Sequence, residues 1–525
     1  MNLPKLQQIV KNKRTIGNFG GLNESLILNE NEFSKMKNIC SDMYPGITCR
    51  KQRGDPIAKL ERPFGLYWKN GLFWVNGGNT YYKGEYVGFY PDEKERTLVG
   101  LGAYICSFPD GNMFSTVDKK FRSMTATWRG DVTVEPVSEG STFVRITGGG
   151  IGNAFASGDG VEFSGFVTHY AALNGTKILK EVGSDFVVVI AVDAGDPIRR
   201  FTNGNITLKR KVPEMDFVCE FNNRLWGCSN RNHEIYASKL GDPTNWNAFE
   251  GLSTDSYALT VGSDGDFTGC LAHNGYVVFF KEDCIHTIYG SKPSNFTLDT
   301  VQARGPAKGC EKSLCNVNES VFYVSRNGVC IYEGSLPETV STKLSGKWKA
   351  ASGQQYDSKY YVSVQDIAGN WRLLVYDMRR SAQNQAELWY QEDEEQMKYS
   401  CYAEGKLYIV DRNNMLREIY AEKEEDYIEW NLESGDLEEG TLSKKKPSRM
   451  QLSIDLTPNA VLTLYVSYDN SPTWIRVKTI TADARRNYQI PIKLKRCDRY
   501  RFKIRGRGKF RLYGMSRTTE GGSDR

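Results

Sequence analysis

The sequence predicts an all-β protein: a β-propeller of about seven blades, with a small inserted β-domain and a C-terminal β-sandwich. Three observations lead there. A hairpin pattern recurs along the chain, tyrosines recur in register with it, and one interval between hairpins is too long by the size of a small domain.

The hairpins come first. LYWKNGLFWV (66–75), ICSFPDGNMFST (105–116), CEFNNRLWGC (219–228), CLAHNGYVVFF (270–280), CNVNESVFYV (315–324), QYDSKYYVSV (355–364) and YAEGKLYIV (402–410) alternate apolar residues about an N-G, D-G or equivalent turn. That is the strongest short-range hairpin signal. A second turn and a strand follow, often closing on a tyrosine. Tyr236, Tyr289, Tyr332, Tyr376 and Tyr420 are separated by 53, 43, 44 and 44 residues. A unit of about 40–50 residues with four antiparallel strands is the size of a propeller blade. An aromatic at the same place in each unit reads as packing between blades.

The spacing then breaks. From Gly111 to Asn223 there are 112 residues, against 40 from Gly71 to Gly111 and 44 from Gly275 to Glu319. The surplus contains STFVRITGG, FASGDGVEFSGF and LNGTKILKEVGSDFVVVIA, further alternating strands that suit a small barrel or sandwich. The expected organisation is therefore an arm and lead-in to the first blade over 1–55, blades over 56–124, an inserted domain over 125–213, more blades over 214–440, and a sandwich over 441–525. The acidic stretch 421–440 is expected to supply a closing blade strand and a linker.

Composition supports strands. Aromatic residues make up 12% of the 525 residues and there are 50 glycines, a mixture that favours pleated strands and tight turns. No run of about 18 apolar residues occurs, so no membrane-spanning helix is expected. The opening MNLPKLQQIVKNKR is basic without an apolar core, so no secretory signal is expected, and the chain is expected to be made and assembled in a cytoplasm or carried inside a particle. The twelve cysteines are irregularly spaced and the four histidines (His169, His233, His273, His286) are not paired at ligand distance. They read as reduced, buried thiols and as no zinc site.

Catalytic motifs are absent. There is no G-x-S-x-G elbow, Walker A loop or H-E-x-x-H helix, and GGGIG (148–152) lacks the strand and acidic partner of a dinucleotide site. No catalytic, cofactor-binding or metal residue is expected, and the chain is not expected to be an enzyme.

One segment is unusual in charge. Twelve lysines and arginines and a single acid, Asp498, lie between Arg485 and Arg511. Arg499, Arg501, Lys503, Arg505, Arg507, Lys509 and Arg511 alternate in part with Phe502, Ile504, Phe510 and Leu512, giving one apolar face and one row of cations. The row suits a solvated sheet face, an interface pairing with acidic stretches such as Glu422–Asp426 of a neighbouring subunit, or contact with a nucleic-acid backbone. The net charge of only +5 implies no strong nucleic-acid binder.

Several phrases resemble a known family. Gly21, Leu22, Asn23, Glu32, Phe33, Met36, Asn38, Pro45, Ile47 and Arg50 match an opening phrase of phage tail propellers. Leu240, Gly241, Pro243 and Trp246 match a blade phrase of phage virion proteins, GDGVEFSGF…LNGTKIL is similar to their inserted domains, and Gly508 to Met515 with Gly522 to Asp524 match their ending. The chain thus resembles the tail nozzle, or stabilisation, proteins of short-tailed phages. That resemblance implies a structural virion protein in a cyclic, usually sixfold ring below the portal and adaptor, bearing fibre or tip proteins, with transient contact to genomic DNA during its retention and ejection. A receptor- or glycan-binding tail tip and, behind it, a polysaccharide hydrolase are the alternatives.

Overall fold

The protein is described by a computed structural model over residues 11–191, 199–421, 428–481, 485–493 and 495–521. The chain divides into two compact units, Glu61–Ala307 and Met1–Leu60 with Lys308–Arg525.

In the unit Glu61–Ala307, four-stranded antiparallel sheets form at 63–89, 97–123, 217–260 and 267–301, each pairing its strands in chain order. The other unit holds three more: 315–339, 348–391, and 399–418 completed by Pro56–Lys59. These seven meanders are the blades of a β-propeller. Their first turns explain the sequence pattern. Asn222–Asn223, Asn274–Gly275, Asp357–Ser358 and Glu404–Gly405 all take positive φ at both central positions, the mirror-image turn whose twist matches that of the flanking strands.

Blades bury their faces against one another. Phe73, Val75 and Tyr82 of the first meet Ile105 and Phe114 of the second. Tyr236 of the third packs with Val99 and Cys106 of the second. Trp226 and Ile235 of the third meet Val277 and Phe279 of the fourth. The Tyr376 ring lies 5.7 Å from Phe322 of the preceding blade. Tyr289 departs from this pattern. It is the last residue of its strand, is 40% exposed, and sets its ring 5.0 Å from Tyr276 in its own blade.

The last blade differs from expectation. Its closing strand is Pro56–Lys59, which pairs with Met415–Glu418, and residues 422–427 of the acidic stretch lie outside the described residues. Glu429–Ser434 instead enters the sandwich, because its buried Trp430 and Leu432 alternate with Glu429 and Asn431 and so supply one apolar face.

Between the second and third blades, residues 126–210 form a seven-stranded sheet built on the long pair Ala126–Pro136 and Phe201–Arg210. Val132, Val134, Ile146, Val161, Phe163, Val187 and Leu208 fill its core.

The sandwich has two sheets. One runs Phe33–Lys37, Glu429–Ser434, Tyr500–Arg507, Val461–Tyr468, Ile475–Thr481; the other joins Ile39–Cys40, Ile47–Cys49, Phe510–Gly521, Lys445–Leu456 and Arg486–Pro491, with Lys11–Ile16 also on Phe510–Gly521. The N-terminal segment is thus part of the sandwich rather than a lead-in to the first blade: Phe33 and Met36 are buried, with the Phe33 ring 6.4 Å from Phe502.

Candidate interaction surfaces

The basic strand Tyr500–Arg507 lies between Glu429–Ser434 and Val461–Tyr468. Phe502, Ile504, Phe510 and Leu512 are buried, so the apolar face is core. The opposite face is paired within the chain. Arg499 lies 3.5 Å from Asp436 and 3.9 Å from Glu438, Arg501 lies 3.7 Å from Asp436, and Lys503 lies 4.0 Å from Glu433. Arg505 lies 3.5 Å from Glu429 and Arg511 lies 4.0 Å from Asp455, while Arg507 and Lys509 are not free either. The Lys503 ammonium also sits 4.0 Å from the Trp474 ring centroid, with Arg501 at 5.3 Å. Burial draws the Lys503 ammonium below its ordinary value; Glu433 opposes this, and Lys35, Arg505 and Arg501 add to it. Acids over 429–438 of the same chain thus face this row. Glu422–Asp426 lie outside the described residues.

Cations at the sandwich margins have another use. Ile475–Thr481 is an edge strand that presents Arg476 and Lys478 and carries a bulge opposite Leu464 and Tyr465. Charged side chains and bulges on an edge prevent uncontrolled strand pairing.

Among the described residues, two polar clusters carry catalytic residue types. In the first, Arg53 lies 2.9 Å from both Glu392 and Asp393, Arg50 lies 3.0 Å from Asp393, and the Tyr420 hydroxyl donates to Glu392. Burial pushes the Asp393 carboxyl up, but Arg53 and Arg50 outweigh it and hold the group below its usual range. Carboxylates committed to guanidinium groups in this way are not poised as an acid and base pair. In the second, the buried His286 ring bonds Ser263 Oγ through Nε2 and Thr300 Oγ1 through Nδ1, both at 2.8 Å. Burial and the neighbouring Lys281 pull its pKa down to about 4. A hydroxyl at Nδ1 offers no charge to stabilise an imidazolium, so the pair anchors its loop. Among the described residues there is no cluster suited to a metal ion and no helix long and apolar enough to cross a membrane. Ten cysteines are buried, Cys219 and Cys270 are half-buried, and all twelve are free thiols.

The family-like phrases occupy joints. Gly21 approaches blade 348–391 so closely that a Cβ would lie 2.5 Å from the Trp389 carbonyl, and the Leu22 amide donates to that carbonyl at 2.7 Å. Asn23 donates to Glu32 at 2.7 Å, Glu32 is met by Lys343 at 2.7 Å, and Asn38 donates to the Glu429 carbonyl at 2.7 Å while accepting from Arg50. The blade phrase does similar work. Asn245, beside buried Trp246, donates to the Gly158 carbonyl at 2.7 Å and accepts from the Gly160 amide at 3.2 Å, and Glu250 pairs with Lys180. The third blade thereby holds the inserted domain. Of the ending, Gly508–Met515 lies in the sandwich and 522–524 fall outside the described residues.

One surface has no counterpart among the sequence expectations. An open groove of about 550 Å³ runs between the loops 26–30 and 435–442. Leu26, Ile27 and Leu442 line it at 103%, 86% and 84% exposure, the three most exposed large apolar side chains among the described residues. Its visible signal is the run Leu26-Ile27-Leu28 inside an otherwise polar loop.

No family model and no curated protein matches the chain. Among solved structures, an exo-β-1,3-galactanase from Phanerochaete chrysosporium shares 8% identity over 56% of this chain and 92% of its own, at a TM-score of 0.21. The extracellular domain of a putative one-component system from B. thetaiotaomicron shares 11% over 87% of this chain and 59% of its own, at 0.27. A glycoside hydrolase shares 9% over 88% and 99%, at 0.20. Overlaps this weak say nothing about this chain's activity.

Proposed function

We propose that the chain is a non-enzymatic structural component of a tailed-phage virion: a tail nozzle ring that extends the DNA channel below portal and adaptor, bears fibre or tip proteins, and helps retain and release the genome. The observation that carries the proposal is what the resembling residues do. Leu22 and Asn38 donate from their amides to the Trp389 and Glu392 carbonyls, Glu32 meets Lys343 and Arg50 meets Asp393, so these residues tie the sandwich to the blade 348–391 and its flanks, and the phrase containing Trp246 clamps the inserted domain. Residues shared with a structural family and spent on rigid joints suit a part that works by assembly. Mass spectrometry of purified particles tests this. The protein is expected as a stoichiometric tail component, and particles made under a nonsense allele should lose packaged DNA; absence from intact particles refutes the proposal.

A glycan-binding tip is supported by one feature. Trp74 and Tyr81 stack at 5.4 Å, Tyr86 meets Tyr81 at 5.9 Å, and Tyr86 and Phe89 are more than half exposed. Aromatic faces of this kind can stack on sugars, and a glycan array with the isolated protein separates the two readings.

A further inference from the structure

We propose that Cys219 and Cys270 are an oxidation site: exposed to a hydroperoxide, they close a disulfide that staples the third blade to the fourth. The inference goes beyond the virion role and does not depend on it.

Position singles out this pair. Of the twelve free cysteines ten are buried, and the two half-buried ones are Cys219 and Cys270. They lie on the first strands of consecutive blades, Phe217–Phe221 and Phe267–His273, which belong to different sheets. Both side chains pack into the apolar layer between those blades, against Trp226 and Ile235 of one and Val277 and Phe279 of the other. The sulfurs meet there. The Cys219 thiol contacts that of Cys270, which in turn contacts the buried thiol of Cys228. Asn230 adds a noncovalent tie across the same joint, accepting from the Phe267 amide at 2.6 Å and donating to its carbonyl at 3.3 Å.

Three neighbouring thiols could also suggest a metal. A structural zinc ion needs four converging ligands, and among the described residues no group of His, Cys, Asp and Glu is disposed to hold an ion. Sulfur-to-sulfur chemistry is what the arrangement allows.

The contact with Cys270, with burial behind it, holds the Cys219 thiol well above its ordinary range. Burial does the same to Cys270, where Cys219 favours the thiolate and Cys228 opposes it. Cys270 is therefore the attacking sulfur, and a slow one. Its thiolate takes one oxygen of hydrogen peroxide, the O–O bond breaks and hydroxide leaves, giving a sulfenic acid. Cys219 then attacks that sulfur, the S–O bond breaks, and water leaves with the thiol proton. Two thiols and one peroxide become one disulfide and two waters. A peroxide is small enough for a half-buried site, where a bulky disulfide oxidant is hindered. The new bond closes the chain from 219 to 270 into a loop, which constrains the unfolded state. Slow thiols suit a lock that is set once rather than a rapid sensor.

The test exposes the full, reduced chain to hydrogen peroxide under native conditions. The product is then unfolded, its free thiols are alkylated, and peptides are mapped by mass spectrometry without reduction. One cross-linked peptide pair joining Cys219 to Cys270 is expected, with the other ten cysteines alkylated and the chain lighter by two hydrogens before alkylation. Cys219→Ser should form no cross-link and should hold a sulfenic acid at Cys270 that dimedone traps, whereas Cys228→Ser should oxidise as wild type does. Twelve alkylated cysteines after oxidation, a link between other cysteines, or the same loss of two hydrogens in Cys219→Ser would each overturn the assignment. The peptide map of the wild-type chain decides the matter even where a variant fails to fold.

Discussion

Trp430 and Gly506 are cross-strand partners, and a Cβ on residue 506 would lie within 2.6 Å of the indole Cε2. The indole is held there: it is 1% exposed, its Nε1 donates to the Gly508 carbonyl at 2.8 Å, and its ring lies 3.9 Å from Phe510. Gly506→Ala must displace it, and overpacking of this kind costs about 1–3 kcal/mol. Urea unfolding followed by tryptophan fluorescence should show the loss. An unchanged midpoint would mean that the indole can retreat.

Arg53 neutralises two buried carboxylates. Arg53→Met leaves Glu392 and Asp393 without their shared cation, and breaking a buried pair from one side costs about 3–5 kcal/mol. The double variant Arg53→Met with Glu392→Gln should recover part of that loss. If the single variant is as stable as wild type in denaturant titration, the cluster does not support the fold.

Acid should weaken the protein in two steps. Below neutrality, the unfolded chain protonates a histidine near pH 6.5 whereas folded His286 resists until about 4. Its contribution is complete above pH 6.5 and lost as pH falls towards 4, by at most about 3 kcal/mol. Asp393 and Glu32 have folded values below their ordinary ones. Their contribution is present above about pH 4 and is lost as pH falls through those lower values. Imidazole NMR should show His286 neutral at pH 5.5, and a thermal midpoint that stays flat from pH 7 to 4.5 would contradict the first step.

Asn245→Ala removes two of the bonds from the third blade to the inserted domain and leaves Lys239 on the Gly158 carbonyl. A buried polar contact of this kind is worth about 1–3 kcal/mol when its partners are left unsatisfied. Limited proteolysis should nick the chain faster near residues 211–216. Equal cutting rates would show that the Lys180–Glu250 pair and the Lys239 bond suffice.

The blades were legible because each repeats a local device. Turns such as Asn274–Gly275 fix a hairpin from a few adjacent residues. Tyr376 could be placed between blades from its spacing alone, but not Tyr289, whose exposure depends on what lies beyond its strand end. The role of the basic strand was legible only by half. Alternation in the sequence separates its apolar from its charged face, yet the partners of Lys503 and Arg505 come from a strand some 70 residues earlier, and no periodicity reports such pairing. Glycine 506 shows the same limit: between two arginines it looks like part of a basic run, whereas its use is the space it leaves for Trp430.

The strand Pro56–Lys59 finds its partner at Met415–Glu418. A growing polypeptide must therefore hold an unpaired strand while most of its length is synthesised, since contacts of such long separation form late. A prematurely ended product would lack the last blade and keep that strand bare. Translation through residue 418 supplies the partner, so any product that stops earlier carries an open strand edge of the kind that recruits other chains.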